Sequence, residues 1–190
     1  VWSFRREWSG WIVAWMLPGA ILGIVLGYAY AAYLDERALT GMIGAVTLAF
    51  GVNRLWIERG GRIEAASNSP GWVGSLFGVV TGLASHISHS GAPPYQMWVT
   101  PRRLPHLVYA GTTAVLFAAI NWLKVPSYFA LGLLTSDVLS LAAVLCPLAV
   151  ASTLVSVAVV RRLHSERFYR AIYYLMIALG GKLILDGLAT

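Results

Sequence analysis

Charge is what this chain has least of. Only 12% of its 190 residues are Asp, Glu, Lys or Arg, against about 25% in an average soluble domain. Asp and Glu are missing altogether from residues 65 to 136. A stretch without carboxylates argues against a cation path, and with no HExxH motif it argues against a metal-dependent hydrolase. Cysteine is nearly absent as well. Cys146 is the one thiol, set inside an apolar block, so no disulfide framework is available. The net charge is +6, yet no basic stripe with interleaved aromatics stands out, so nucleic acid is not an expected partner. Nothing in the chain calls for a cofactor.

Apolar residues are abundant, 58% of the chain, with a mean hydropathy of +0.69. They come in blocks. Residues 11–34, 107–123 and 138–160 contain no charge, and a bilayer span takes about 20 predominantly apolar residues. The blocks lack the polar faces of helices in a soluble core. The fold class expected is all-α, a polytopic helical membrane protein. Helices are expected at 11–34, 38–57, 107–123, 138–160 and 168–188, with Lys124 and Pro126 ending the 107–123 helix and SYFALGLL a short apolar piece after it. The opening VWSFRREWSG leads into a block too long for a signal-peptide core, so the first block reads as a retained membrane helix. The segment ERGGRIEAASNSP, 58–70, reads as a polar loop.

The run at 71–85 is short for a span and meets SHISHSGAPP, residues 85–94. Irregular backbone at membrane depth survives only where protein or a water-filled cavity satisfies it, so this stretch marks a re-entrant or discontinuous helix and a candidate site. Broken helices aim N–H groups at a cavity, which favours an anion. Gly91 permits close backbone approach. Pro93 and Pro94 keep the helix from re-forming. Ser85, Ser88, His89, Ser90 and Gln96 supply hydrogen-bond donors without fixed negative charge. The bland alternative is a Gly-Pro kink between packed helices. His86, His89 and His106 are a weaker candidate, a three-imidazole zinc site; a proton-sensing or substrate-contacting histidine accounts for them more simply. Asn121 needs a partner in an apolar helix, Lys124 can snorkel to the interface, Thr112 and Thr113 can bond back within their helix, and Asp137 is placed to cap the next one.

Positive charge sets the topology. If residues 71–99 dip in and return to one side, then Arg5, Arg6, Arg54, Arg59, Arg62, Arg102, Arg103, Arg161, Arg162, Arg167 and Arg170 share a face with the N-terminus, leaving Arg37, Lys124 and Lys182 toward the other. By the positive-inside rule the shared face, with loops 58–70 and 161–167, is cytoplasmic. An internal repeat agrees. Pro18 aligns with Pro147, Leu34 with Leu163, Arg37 with Arg167, Gly51 with Gly181 and Leu55 with Leu185. The linking loops have opposite charge, DER against RRLHSER, as inverted repeats with broken helices would show. The organisation expected is the end of a first repeat at 1–57, the loop at 58–70 and a second repeat at 71–190. The counterpart of 71–137 would then precede Val1, carrying a second broken segment.

Several motifs occur in order: His89 to Pro94, Pro101 to Leu104, Gly111 to Thr113, Asn121 to Lys124, and Arg161-Arg162. Together they resemble the sulfite exporter TauE/SafE family, the TSUP permeases, from about residue 71 to the end. Residues 11–57 resemble the end of that family's first repeat. Ala92 stands where a second glycine is usual. The resemblance implies a bacterial inner-membrane, multi-pass carrier of sulfite, organosulfonates or related small anions. It adds Arg103, Thr112, Asn121 and Lys124 to Ser85, His89, Ser90, Gly91, Pro93, Pro94 and Gln96 as candidate substrate contacts. The partners expected are a small anionic substrate and the lipid bilayer, and small-residue helix faces permit a homodimer without demanding one. Two other classes compete: a membrane-embedded metalloenzyme built on the histidines, and a non-catalytic assembly subunit in which the break is packing alone.

Overall fold

The computed structural model describes residues 4, 6–30, 33, 35–59 and 68–188. Arg5, Arg62, Leu34 and most of the loop expected at 58–70 lie outside the described residues, as does the side chain of Arg59. Among the described residues there are seven α-helices and no strand. In chain order they are α1 (Gly10–Tyr30), α2 (Glu36–Arg59), α3 (Gly71–Ile87), α4 (Ala92–Val99), α5 (His106–Ala130), α6 (Ser136–Arg162) and α7 (Ser165–Leu188). Five of these helices are long and apolar enough to cross a membrane. At about 1.5 Å per residue, α1 with its 21 residues matches a hydrocarbon core of about 30 Å.

Glycine decides which helices touch. Along α1, Gly19 faces Ser75 and Val79, Gly23 faces Val79 and Leu83, and Gly27 faces His86. From α3, Gly78 and Gly82 return the contact to Met16 and Ala20. Residue numbers rise together on both helices, so α1 and α3 run parallel with their backbones in direct contact. Ser75 Oγ donates to Trp15 O at 2.7 Å across the same seam. In lipid there is no hydrophobic drive between helices, and small residues that allow close approach supply the packing. The helices α2 and α7 pair by the same device in the opposite sense: Gly41 meets Gly187, Gly44 meets Ile184, Leu48 meets Gly180 and Gly51 meets Ile177. They are antiparallel.

The segment from α3 to α4 is a hairpin that turns at Ser88–Gly91 and comes back. Trp98 of α4 packs on Gly74 of α3, and the chain then closes on its entry point. Arg102 Nη2 donates to Ser69 O at 2.6 Å and to Ser69 Oγ at 3.0 Å. Its guanidinium lies 4.0 Å from the Trp98 ring and 4.7 Å from the Trp11 ring. The expected re-entrant segment is therefore present as a geometric hairpin. Arg102→Ala should lower thermal stability by about 2–3 kcal/mol, from the lost cation–π and charged hydrogen bonds. Arg102→Lys should recover only part of it, because a lysine cannot stack as a plane. Thermal unfolding in detergent measures both.

The helix α4 is the centre of the core, with Tyr95, Trp98 and Val99 buried against Tyr109, Leu116 and Tyr173. No residue of α6 is buried. One end of the bundle, the base, gathers the basic residues. There Arg161 pairs with Glu7 at 3.4 Å, His106 Nδ1 meets Ser165 Oγ at 2.9 Å, and Tyr169 donates to Leu104 O at 2.7 Å. Arg6, Arg102, Arg103, Arg162, Arg167 and Arg170 belong to this end, whereas Arg37 and Lys182, the latter paired with Asp186, belong to the other.

Two local expectations are corrected. The helix α5 does not end at Lys124 and Pro126 but runs through Pro126 to Ala130; a proline inside a membrane helix is tolerated when neighbours satisfy the freed backbone. The cap of α6 is Thr135, whose Oγ1 accepts from Val138 N at 3.3 Å, and Asp137 sits in the first turn instead.

Candidate functional site

The break is built at the end of α3. The last four carbonyls of a helix have no intrahelical partner, and here three of them find one. Ala84 O accepts the N–H groups of Ser88 and Ser90, both at 3.1 Å. Ser85 O accepts from Lys124 Nζ at 3.1 Å. His86 O accepts from the Tyr128 hydroxyl at 3.4 Å. The turn itself is made by His89, with a φ of 55°, a left-handed conformation that a non-glycine residue seldom adopts.

Several candidate donors are already committed. Ser88 Oγ donates to Ala84 O at 3.3 Å and Ser90 Oγ to Ser88 O at 3.0 Å. Gly91 makes its close approach to α3: a methyl built there would fall 2.7 Å from Ser85 Cβ and 2.8 Å from Thr81 O. Pro93 and Pro94 do not stop a helix. They open α4, in the first turn, where a missing N–H costs nothing. They also leave that helix end short of donors, so the expected fan of N–H groups is largely replaced by a side chain.

That side chain is Lys124. It is 5% exposed, and its ammonium donates to Ser85 O and Ser85 Oγ, each at 3.1 Å. Neither partner is a carboxylate, and none is near in sequence, since 65–136 holds no Asp or Glu. Lys124 does not snorkel to the interface. On the same helix as Ser85, two buried polar atoms have no hydrogen-bond partner: Thr81 Oγ1, one turn before Ser85, and His86 Nδ1, on the next residue. A buried polar group left unpaired costs about 1–3 kcal/mol, so unmet hydrogen bonding on the helix that a buried cation caps is chemistry suited to an oxyanion.

The structure brings together Ser85, His89, Ser90, Gly91, Pro93, Pro94 and Lys124. Gln96 is one turn along α4, with a buried, unpartnered Oε1. The remaining candidates lie elsewhere. Arg103 is at the base, its guanidinium over Tyr169 and Tyr173. Thr112 bonds back to Val108 O at 2.7 Å, as Thr113 does to Tyr109 O at 2.8 Å, and Thr112 also accepts Ser9 N–H at 2.9 Å, which ties the N-terminal segment to α5. Asn121 is exposed on α5. His106 is at the base while His86 and His89 are at the break, so the three-imidazole zinc site does not assemble. Among the described residues no three His, Cys, Asp or Glu side chains gather in a way that could hold a metal.

Two contributors lay outside the expected set. Thr81 gave no signal beyond being a threonine four residues before Ser85. Tyr128 was hidden by the supposed end of α5; once the helix passes Pro126, Lys124 and Tyr128 are i and i+4 on one face.

The family model described as Sulfite exporter TauE/SafE matches residues 1–183. The chain belongs to the TauE/SafE family. No curated protein and no solved structure matches it. Membership accords with the five candidate spans and makes this a multi-pass membrane protein of a transporter family. The match also takes in residues 1–57, beyond the motifs at and after the break. Ala92, the residue after Gly91, is the first residue of α4.

Proposed function

We propose that this TauE/SafE protein is a secondary transporter, a permease or exporter of small sulfur-containing anions such as sulfite or organosulfonates, and not an enzyme. The observation that carries this is Lys124, a buried ammonium at a broken helix whose hydrogen bonds, among the described residues, go to Ser85. Burying a charge is expensive unless it is paired, and an ionisable residue at membrane depth defaults to function. An oxyanion beside Lys124 would supply the missing charge, with Thr81 and Ser85 hydroxyls as donors and His89 at the exposed edge.

The bundle suits a carrier of two inverted repeats in the bacterial inner membrane. The antiparallel pair α2 and α7 consists of aligned repeat counterparts, as a two-fold axis in the membrane plane between them would produce. In the same alignment the bare helix α6 is the counterpart of α1, which packs on the broken helix α3. The basic base of the bundle would face the cytoplasm, and a homodimer is compatible with the small-residue faces.

The purified protein should be stabilised by its substrate. A ligand that binds only the folded state adds about 2.7 kcal/mol at one hundred times its Kd. Thermal unfolding with sulfite, sulfate, thiosulfate, taurine, sulfoacetate and chloride should show a shift with a sulfur anion and none with chloride. Equal shifts for all, or none at all, would leave the break as packing.

A further inference from the structure

Tyr128 occupies the space between the buried ammonium and the exposed edge of the break. Its hydroxyl reaches His86 O and His89 Nε2, both at 3.4 Å. Its ring lies 5.7 Å from Lys124 Nζ, with the imidazoles of His86 and His89 at 5.4 Å and 6.1 Å. Exposure falls in order from His89, which is exposed, through half-buried Tyr128 to buried Lys124. On the side toward the base, the break is backed by the closed core of α4, where Tyr95, Trp98 and Val99 are all buried. The end away from the base is near: His86 packs on Gly27, and α1 ends at Tyr30. Tyr128 therefore stands between Lys124 and the exposed edge of the break.

The turn that carries Tyr128 follows a proline within α5 and is tied back to Lys124 O by Ser127 Oγ, which donates at 2.8 Å. Pro126 has no N–H to give to the carbonyl one turn back, so the ladder of α5 is interrupted just before it. After it the chain closes on itself: Leu131 N donates to Ser127 O, Gly132 N to Phe129 O and Leu133 N to Tyr128 O, at 2.9 to 3.0 Å. Gly132, with a φ of 68°, is the left-handed cap. A capped turn beyond a proline can tilt without unwinding. The two contacts of the Tyr128 hydroxyl across to the break are both long, beyond the usual range for an O–H donor, and are readily broken.

We infer that Tyr128 is the gate of the Lys124 site on the side away from the base: tied to His86 O and His89 Nε2 it closes the site, and the turn beyond Pro126 swings it aside. This rests on the reading of Lys124 as the anion's partner. Tyr128 is a positioning residue, and it acts on how fast an anion enters and leaves rather than on how tightly it is held.

The test uses purified protein loaded with radiolabelled sulfite and measures release on dilution, beside the sulfite-induced thermal shift. Tyr128→Phe keeps the ring and loses the ties. Release should become about three- to tenfold faster, the worth of a net neutral hydrogen bond, with the thermal shift at saturating sulfite unchanged. Pro126→Ala restores the helical ladder and should slow release. Unchanged release in both variants, or lost sulfite binding in Tyr128→Phe, would overturn the gate and leave the Lys124 site standing. A wild-type protein that sulfite does not stabilise would overturn the site itself, and the gate with it.

Discussion

Lys124→Met should remove the response to sulfite while leaving the protein folded. Methionine matches the length of the lysine stem and packs well in irregular space. What disappears is the charge and its hydrogen bonds. A charged hydrogen bond is worth about 1.5–3 kcal/mol, so anion affinity should fall about tenfold to one hundred and fifty-fold. The stability of the ligand-free protein should move much less. Two effects oppose each other there. Ser85 O loses the partner that caps α3, which costs about 1 kcal/mol. Against that, a buried charge without a counter-charge is no longer carried, and replacing buried ions by apolar groups is often neutral or stabilising. Ser85→Ala is the milder companion, since it keeps the ammonium and its bond to Ser85 O and removes only the hydroxyl. Substrate-dependent thermal shift and uptake into proteoliposomes read the series. If Lys124→Met binds sulfite as the wild type does while its ligand-free midpoint drops by several degrees, Lys124 is a helix cap and nothing more.

The sequence made the helices legible because composition alone separates them. Blocks free of charge fall at bilayer length, and basic residues cluster at one end. The re-entrant hairpin was legible for the same reason: 71–85 is short, residues 85–90 are mostly polar, and the arginines require the chain to return. Proline was the ambiguous letter. Pro93 and Pro94 read as stops and are a start, and Pro126 reads as an end and is crossed. A proline lacks an N–H in either case, and only tertiary context tells whether that N–H was needed. The candidate site was half legible. Ser85, His89 and Gly91 announce themselves by interrupting an apolar run. Lys124 could be drawn toward them only by resemblance, since the pairing of residue 124 with residue 85 is a tertiary contact that no periodicity records. Arg103 and Thr112 were drawn in by the same resemblance, and in the structure they brace the base of α5 and α7. Ser88 and Ser90 have the right chemistry, yet they spend it on the turn they occupy.

Gly23→Val should disrupt the fold more than any substitution at the break. A methyl placed on Gly23 would lie 2.1 Å from Val79 O and 2.7 Å from Leu83 N. Both are backbone atoms of α3, so no side chain can rotate away and the two helices must separate. Overpacking a core costs about 1–3 kcal/mol and sometimes more, and here valine adds two further carbons to a contact that one cannot enter. Taking the upper end, about 3 kcal/mol, at about 2–4 °C per kcal/mol for a chain of this size, the midpoint should fall by about 6–12 °C, with reduced yield in the membrane. Gly181→Ala supplies the control. That glycine has nothing within 4 Å of a built methyl, so alanine should be neutral or stabilise α7 by up to about 1 kcal/mol through helix propensity. A generic glycine effect would move both variants alike; contact between α1 and α3 moves only the first. The consequence reaches the site, because the same seam that holds Gly23 against Val79 holds Gly27 against His86, and His86 is the residue next to Ser85. A displaced α3 carries Ser85 away from Lys124. Gly23→Val should therefore lose the sulfite response together with stability, whereas Lys124→Met should lose the response alone, and that difference separates the scaffold of the site from its chemistry.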